Sequence, residues 1–121
     1  MMLLAMLLAA QPALMEKADE ANLAFTSCLF AQSREAHAAR LPLAEFKRKL
    51  ANACLAEERQ LQSAATRVMA KRGEPNPAVA AKKLTSEARA SVIATYESLP
   101  RIERQLEKLG EICRQQPEAC S

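Results

Sequence analysis

The sequence predicts an all-α protein, a three- or four-helix bundle built on an antiparallel helical hairpin that is cross-linked by a disulfide. Apolar residues recur at three- and four-residue steps along most of the chain, which is the spacing of one helix face. Only two glycines and six prolines occur in 121 residues. Cys28 and Cys54 each lie thirteen residues from Leu41, which is followed by Pro42.

The hairpin follows from the equal spacing of these two cysteines. If Leu41 and Pro42 form its tip, the helical rise carries Cys28 and Cys54 to the same height, about 20 Å from the tip. Bridged cysteines need Cα atoms about 6 Å apart, closer than the usual distance between helix axes. Small neighbours permit that approach on both helices: Ala24, Ala31, Ala51 and Ala53.

Helix boundaries are indicated by the prolines and by one glycine. The first helix is expected from about residue 13 to Arg40, and the second from Pro42 to Lys71. Gly73 and Pro75 then end the second helix, and Pro77 opens the third. Pro100 is expected to end or kink the third helix, and the last helix should stop before Pro117.

The last helix carries the most regular apolar spacing. Leu99, Ile102, Leu106, Leu109 and Cys113 step by three and four residues, as in a coiled coil. Such a seam needs a partner along its length. In a monomer the partner would be the first hairpin; alternatively, the chain would form a homodimer through Leu99, Ile102, Leu106 and Leu109.

The first thirteen residues contain no charge and begin with ten apolar residues. This stretch is too short to span a bilayer, and small residues followed by polar sequence are typical of a secretory leader. We predict a signal peptide over residues 1–13, removed between Ala9 and Ala13, and a single helical domain over residues 14–121. The alternative is an apolar helix end that packs on the body of the protein.

The cysteines agree with export. An even number of cysteines in a short chain with a leader predicts disulfides, although four cysteines allow three pairings. Spacing favours Cys28 with Cys54 and Cys113 with Cys120. In its leader and cysteine placement, the chain resembles the small exported helical proteins with paired cysteines of Gram-negative bacteria. That resemblance implies a periplasmic or secreted location and no chemistry.

Charge and composition argue against several classes of partner. Seventeen cations and fourteen anions are interspersed, so the surface is expected to be mixed, with no anionic partner and no nucleic acid implied. Three Phe and one Tyr supply no stacking platform for bases. No stable membrane anchor is expected once the leader is removed.

No catalytic, cofactor or metal site is predicted. Glu57 and Glu58 are adjacent on a helix and so do not face each other, which makes exposed charges the preferred interpretation. His37 lacks an identifiable nucleophile or orienting carboxylate, and the cysteine spacings do not fit a metal knuckle. We expect a protein-binding or structural module that works through a helical face. An envelope-stress or chaperone-like protein is the alternative, and a small enzyme is less favoured.

Overall fold

Four helices and one short 3-10 helix make up the computed structural model, which describes residues 2–120 and the side chains of residues 12–120. The helices are α1 (Met2–Ala38), α2 (Leu43–Ala51), α3 (Leu55–Lys71) and α4 (Pro77–Gln115), and the 3-10 helix is Pro117–Cys120. No described residue lies in a β-strand. The all-α prediction is therefore confirmed. The predicted leader, residues 1–13, lies outside the described side chains except at its last two residues.

The predicted hairpin forms between α1 and α3, which run antiparallel. A disulfide joins Cys28 to Cys54 with their Cα atoms 6.0 Å apart, which confirms the pairing inferred from their equal heights. The chain reverses at Leu41, whose backbone N–H donates to the Ala36 carbonyl at 3.0 Å. Arg40, at φ 54°, adopts the left-handed conformation that such a tight reversal after a helix requires.

The second predicted helix, Pro42 to Lys71, is wrong as a single element. α2 ends at Ala51, and Cys54 has a left-handed φ of 60° before α3 begins. A break of this kind leaves some backbone carbonyls without the partner that a continuous helix would give them. The Arg89 guanidinium donates to two carbonyls here, that of Leu50 at 2.6 Å and that of Ala53 at 2.8 Å, and the Leu50 carbonyl also accepts the Ala53 backbone N–H at 3.2 Å. A side chain from a distant part of the sequence therefore stabilises the break.

Arg89 also connects all four helices. Its guanidinium forms an ion pair with Glu58 of α3 and lies 5.3 Å from the ring centre of Phe25 in α1. The two ionised side chains are only 15% and 21% exposed. Glu58 is thus a partly buried structural carboxylate rather than the exposed charge expected from its neighbourhood in the sequence.

The core lies between the hairpin and the first half of α4. Phe46 of α2 stacks on Tyr96 of α4 with ring centres 4.0 Å apart, and the Tyr96 hydroxyl donates to the Leu41 carbonyl at 2.6 Å. This contact fixes α4 against the hairpin tip. The remaining buried apolar residues come from every helix: Phe25, Leu29, Ala36, Leu50, Cys54, Leu61, Ala65, Ala81 and Val92.

α4 continues through Pro100, which does not end the helix. Proline removes one backbone N–H and usually disturbs a helix interior at a cost of about 3 kcal/mol. Here it lies inside a 39-residue helix. The third and fourth predicted helices are therefore one element, and its second half extends beyond the hairpin tip. No helix among the described residues is both long enough and apolar enough to span a membrane.

Candidate protein-interaction site

The second half of α4 has an apolar face that is exposed and that no described side chain of another helix covers. We call the four apolar residues Ile102, Leu106, Leu109 and Ile112 the distal face. Their exposed fractions are 39%, 61%, 54% and 48%, respectively. Every residue from 101 to 115 is exposed except Gly110 and Cys113, which are half-buried. Three of the four residues belong to the predicted seam, and Ile112 widens it.

The prediction that the first hairpin covers the seam in a monomer is correct only at Leu99. That residue packs against the core, whereas Ile102, Leu106 and Leu109 lie past the tip of the hairpin. The reason is a difference in length. α1 ends at Ala38, level with the start of the seam, whereas α4 extends another 15 residues beyond Pro100.

A cleft of about 650 Å³ lies at the lower end of the distal face, where α4 passes the hairpin tip. Its aliphatic lining consists of Ala38, Leu41, Pro42, Leu43, Leu99 and Pro100. At its rim, His37 Nε2 lies 2.8 Å from a carboxylate oxygen of Glu103. We call this feature the hairpin-tip cleft. Leu99, Pro100 and Glu103 of the cleft lie next to the start of the distal face along α4, and none of the four distal-face residues lines the cleft.

The second disulfide lies at the other end of the distal face. Cys113 is bonded to Cys120, and their Cα atoms are 5.6 Å apart. This bond holds the 3-10 helix Pro117–Cys120 against the end of α4. The uncovered part of the face therefore runs from Ile102 to Ile112, a length of about 15 Å at the helical rise.

The ionisable side chains that line the cleft, besides the tyrosine discussed below, are His37, Arg40, Glu97 and Glu103. His37 and Glu103 are each about half exposed, and the one tyrosine that lines the cleft, Tyr96, uses its hydroxyl to hold the Leu41 carbonyl. No serine, threonine or cysteine lines this cleft among the described residues. The arrangement supports contact with an apolar partner surface better than it supports acid–base or nucleophilic chemistry.

The sulfurs of Cys28 and Cys54 lie within 4.8 Å of a Glu57 carboxylate oxygen, which is close enough to resemble a metal-ligand set. The two sulfurs are bonded to each other, however, and metal ligation by cysteine requires a free thiolate. The cluster is therefore a structural disulfide beside a carboxylate.

Sequence spacing alone identified the seam but missed the hairpin-tip cleft. The cleft depends on the tertiary contact between Tyr96 and Leu41, residues that are 55 positions apart in the chain. Comparison of the chain with known protein families, curated proteins and solved structures finds no match. The geometry of the molecule is therefore the basis for a functional assignment.

Proposed function

We propose that this chain is an exported, periplasmic or secreted, helical module that binds another protein through the distal face of α4. One observation carries the proposal: four large apolar side chains follow one another along a helix and are exposed, with no described side chain covering them. Apolar rows of this size on small proteins commonly mark interaction sites. The hairpin-tip cleft lies beside the first residue of this face along α4.

Export is supported by the cysteines. All four are paired in two disulfides, and disulfides persist in oxidising compartments and are rare in the bacterial cytoplasm. The leader predicted for residues 1–13 supports the same location. Sequencing the amino terminus of the mature protein checks this part of the proposal, and an intact Met1 on protein from the cytoplasm would contradict it.

The shape of the surface favours a helical partner. The distal face is a straight row about 15 Å long, with side chains at helical spacing and a cleft at one end. An amphipathic helix can place its own apolar row on such a surface, as in helix-in-groove recognition. A small molecule would bury little of its surface on so open a row, because ligand sites are usually concave.

Site-specific photocross-linking in living cells tests the proposal. A photoactivatable residue at Leu106 should give defined protein adducts, because it lies in the centre of the distal face. The matched position is Arg104, which is exposed on the opposite side of the same helical turn. Equal adduct yields at both positions, or no adducts at either, would contradict a binding role for this face.

A second copy of the chain is one partner that the seam favours, giving a homodimer through Leu99, Ile102, Leu106 and Leu109. Leu99 packs against the core, so the part of the seam that is free to pair is Ile102, Leu106 and Leu109. An antiparallel pair would place the two hairpins at opposite ends of the paired helices. Sedimentation analysis of the Leu106→Gln and Arg104→Gln variants tests this alternative, and we expect only the first to shift the chain toward monomer.

The chaperone-like alternative is supported by the same exposed row together with the hairpin-tip cleft, since client-shielding proteins need uncovered apolar surface. It makes a different prediction. The protein should slow the aggregation of an unrelated, heat-unfolded test protein, and Leu106→Gln should abolish that effect. Failure to slow aggregation, combined with adducts from Leu106, would favour a specific partner instead.

A further inference from the structure

A group of basic side chains lies beside α3. Two clefts of about 590 and 390 Å³ lie on either side of this helix and share Arg59, Ser63 and Arg67. Their charged lining consists of four cations, Lys17, Arg59, Arg67 and Lys82, and one anion, Glu20. The lining of the two clefts, here called the α3 face, therefore has a net charge of +3.

The four cations come from three helices, and the one anion beside them is Glu20. Lys17 lies on α1, Arg59 and Arg67 on α3, and Lys82 on α4. None of these cations takes part in the ion pairs His37–Glu103, Lys83–Glu87 and Arg89–Glu58. Like charges from three helices therefore line adjacent clefts, and a bound anion would reduce their mutual repulsion.

We propose that the α3 face binds the phosphate headgroups of an anionic lipid surface. Arginine presents a planar fork of donors that matches phosphate oxygens, and the helical rise separates Arg59 and Arg67 by about 12 Å. Ser63 and Gln60 add exposed hydroxyl and amide donors to the lining of the larger cleft. The interaction is a reversible adsorption and does not depend on the distal face.

The form of the α3 face favours a lipid surface over an acidic protein. The two clefts are separated by the width of α3, about 10 Å, so they can receive separate headgroups, whereas an acidic helix would need one continuous groove. The apolar residues that line them are all alanines: Ala21, Ala24, Ala64 and Ala78. With no large apolar side chain to insert, binding should rest on charge alone and weaken with salt.

Vesicle flotation with the oxidised protein tests the proposal. The vesicles contain phosphatidylcholine alone or a mixture with phosphatidylglycerol, at low salt and above about 0.3 M salt. We expect binding only to the anionic vesicles at low salt. The double variant Arg59→Ala, Arg67→Ala should lower the partition coefficient by about 25-fold, since each cation near an anionic surface contributes about fivefold.

The matched control is the double variant Lys47→Ala, Lys49→Ala, which removes two exposed cations from α2 and leaves the α3 face intact. It should lower binding by far less than the arginine variant. Equal losses in the two variants would show that binding follows net charge alone and would overturn the assignment to this face. Equal binding to both vesicle types would overturn the role of phosphate charge.

Two soluble competitors distinguish other sources of negative charge. If inorganic phosphate binds the protein and anionic vesicles do not, the ligand is a soluble phosphate and the lipid assignment is overturned. Tighter binding to polyglutamate than to anionic vesicles would identify an acidic protein partner and overturn it as well. The Leu106→Gln variant should bind vesicles normally, which separates this surface from the distal face.

Discussion

The two halves of α4 have the same apolar spacing and opposite environments. In residues 77–99, Ala81, Val92 and Tyr96 are buried against the hairpin. In residues 101–115, Ile102, Leu106 and Leu109 are exposed. Periodicity therefore identifies the apolar face of a helix but does not determine whether anything covers it. Coverage depends on the length of the neighbouring helices, and here the hairpin ends at Leu41 while α4 continues.

The largest expected difference in stability is between an alanine substitution in the covered half of α4 and one in the exposed half. Tyr96→Ala should destabilise the protein by about 3–5 kcal/mol, because it removes a buried ring, its stacking on Phe46 and the hydrogen bond to Leu41. Leu106→Ala should change the free energy of unfolding by less than about 0.5 kcal/mol, because its side chain is 61% exposed. Urea unfolding at low protein concentration measures both. A large effect at Leu106 would show that the distal half is covered in solution.

The two disulfides extend the comparison from side chains to cross-links. Replacing Cys28 and Cys54 by serine should cost about 3.5 kcal/mol, because that bond closes a loop with a sequence separation of 26 and joins two helices of the body. Replacing Cys113 and Cys120 should leave the unfolding of the body nearly unchanged, since their separation is 7 and both lie at the free end of α4. Thermal unfolding of the two double variants checks the difference. Equal losses would mean that the distal half unfolds together with the body.

Much of this architecture could be predicted from local spacing, and the errors have a common cause. The Cys28–Cys54 pairing followed from equal distances to a proline turn. The break at Asn52–Cys54 could not be foreseen, because it depends on hydrogen bonds from Arg89, which lies 36 residues beyond Ala53. The continuity of α4 through Pro100 also conflicts with local preference. The α3 face was missed because interspersed charges in the sequence become grouped only when three helices pack together.

Arg89 connects the break between α2 and α3 to the covered half of α4, so its removal should act on the body alone. Arg89→Leu should destabilise the protein by about 3 kcal/mol, because it removes the ion-pair partner of Glu58 and a hydrogen-bond donor from each of the Leu50 and Ala53 carbonyls. Combining it with Glu58→Gln should cost less than the sum of the single changes, which a double-mutant cycle measures. Additive losses would contradict direct coupling between the two side chains.

The smallest effect concerns the two glycines, which differ in backbone conformation but not in available space. A Cβ atom added at Gly73 or at Gly110 would meet no atom within 4 Å. Gly73 has a φ of +80°, which L side chains rarely adopt, so Gly73→Ala should destabilise the turn before α4 by about 1 kcal/mol. Gly110 lies inside α4, so Gly110→Ala should stabilise the distal half by about 1 kcal/mol.

Amide hydrogen exchange of residues 101–115 can measure the effect of Gly110→Ala on helix stability. The body of the protein need not unfold in this experiment, because the distal half makes few contacts with the body. Slower exchange in Gly110→Ala, with normal cross-linking from Leu106, would show that the glycine only weakens the helix. Slower exchange accompanied by lost cross-linking would show that a partner backbone approaches Gly110 closely. That second outcome would extend the binding surface beyond the four residues of the distal face, and unchanged exchange would contradict the expected gain in helix stability.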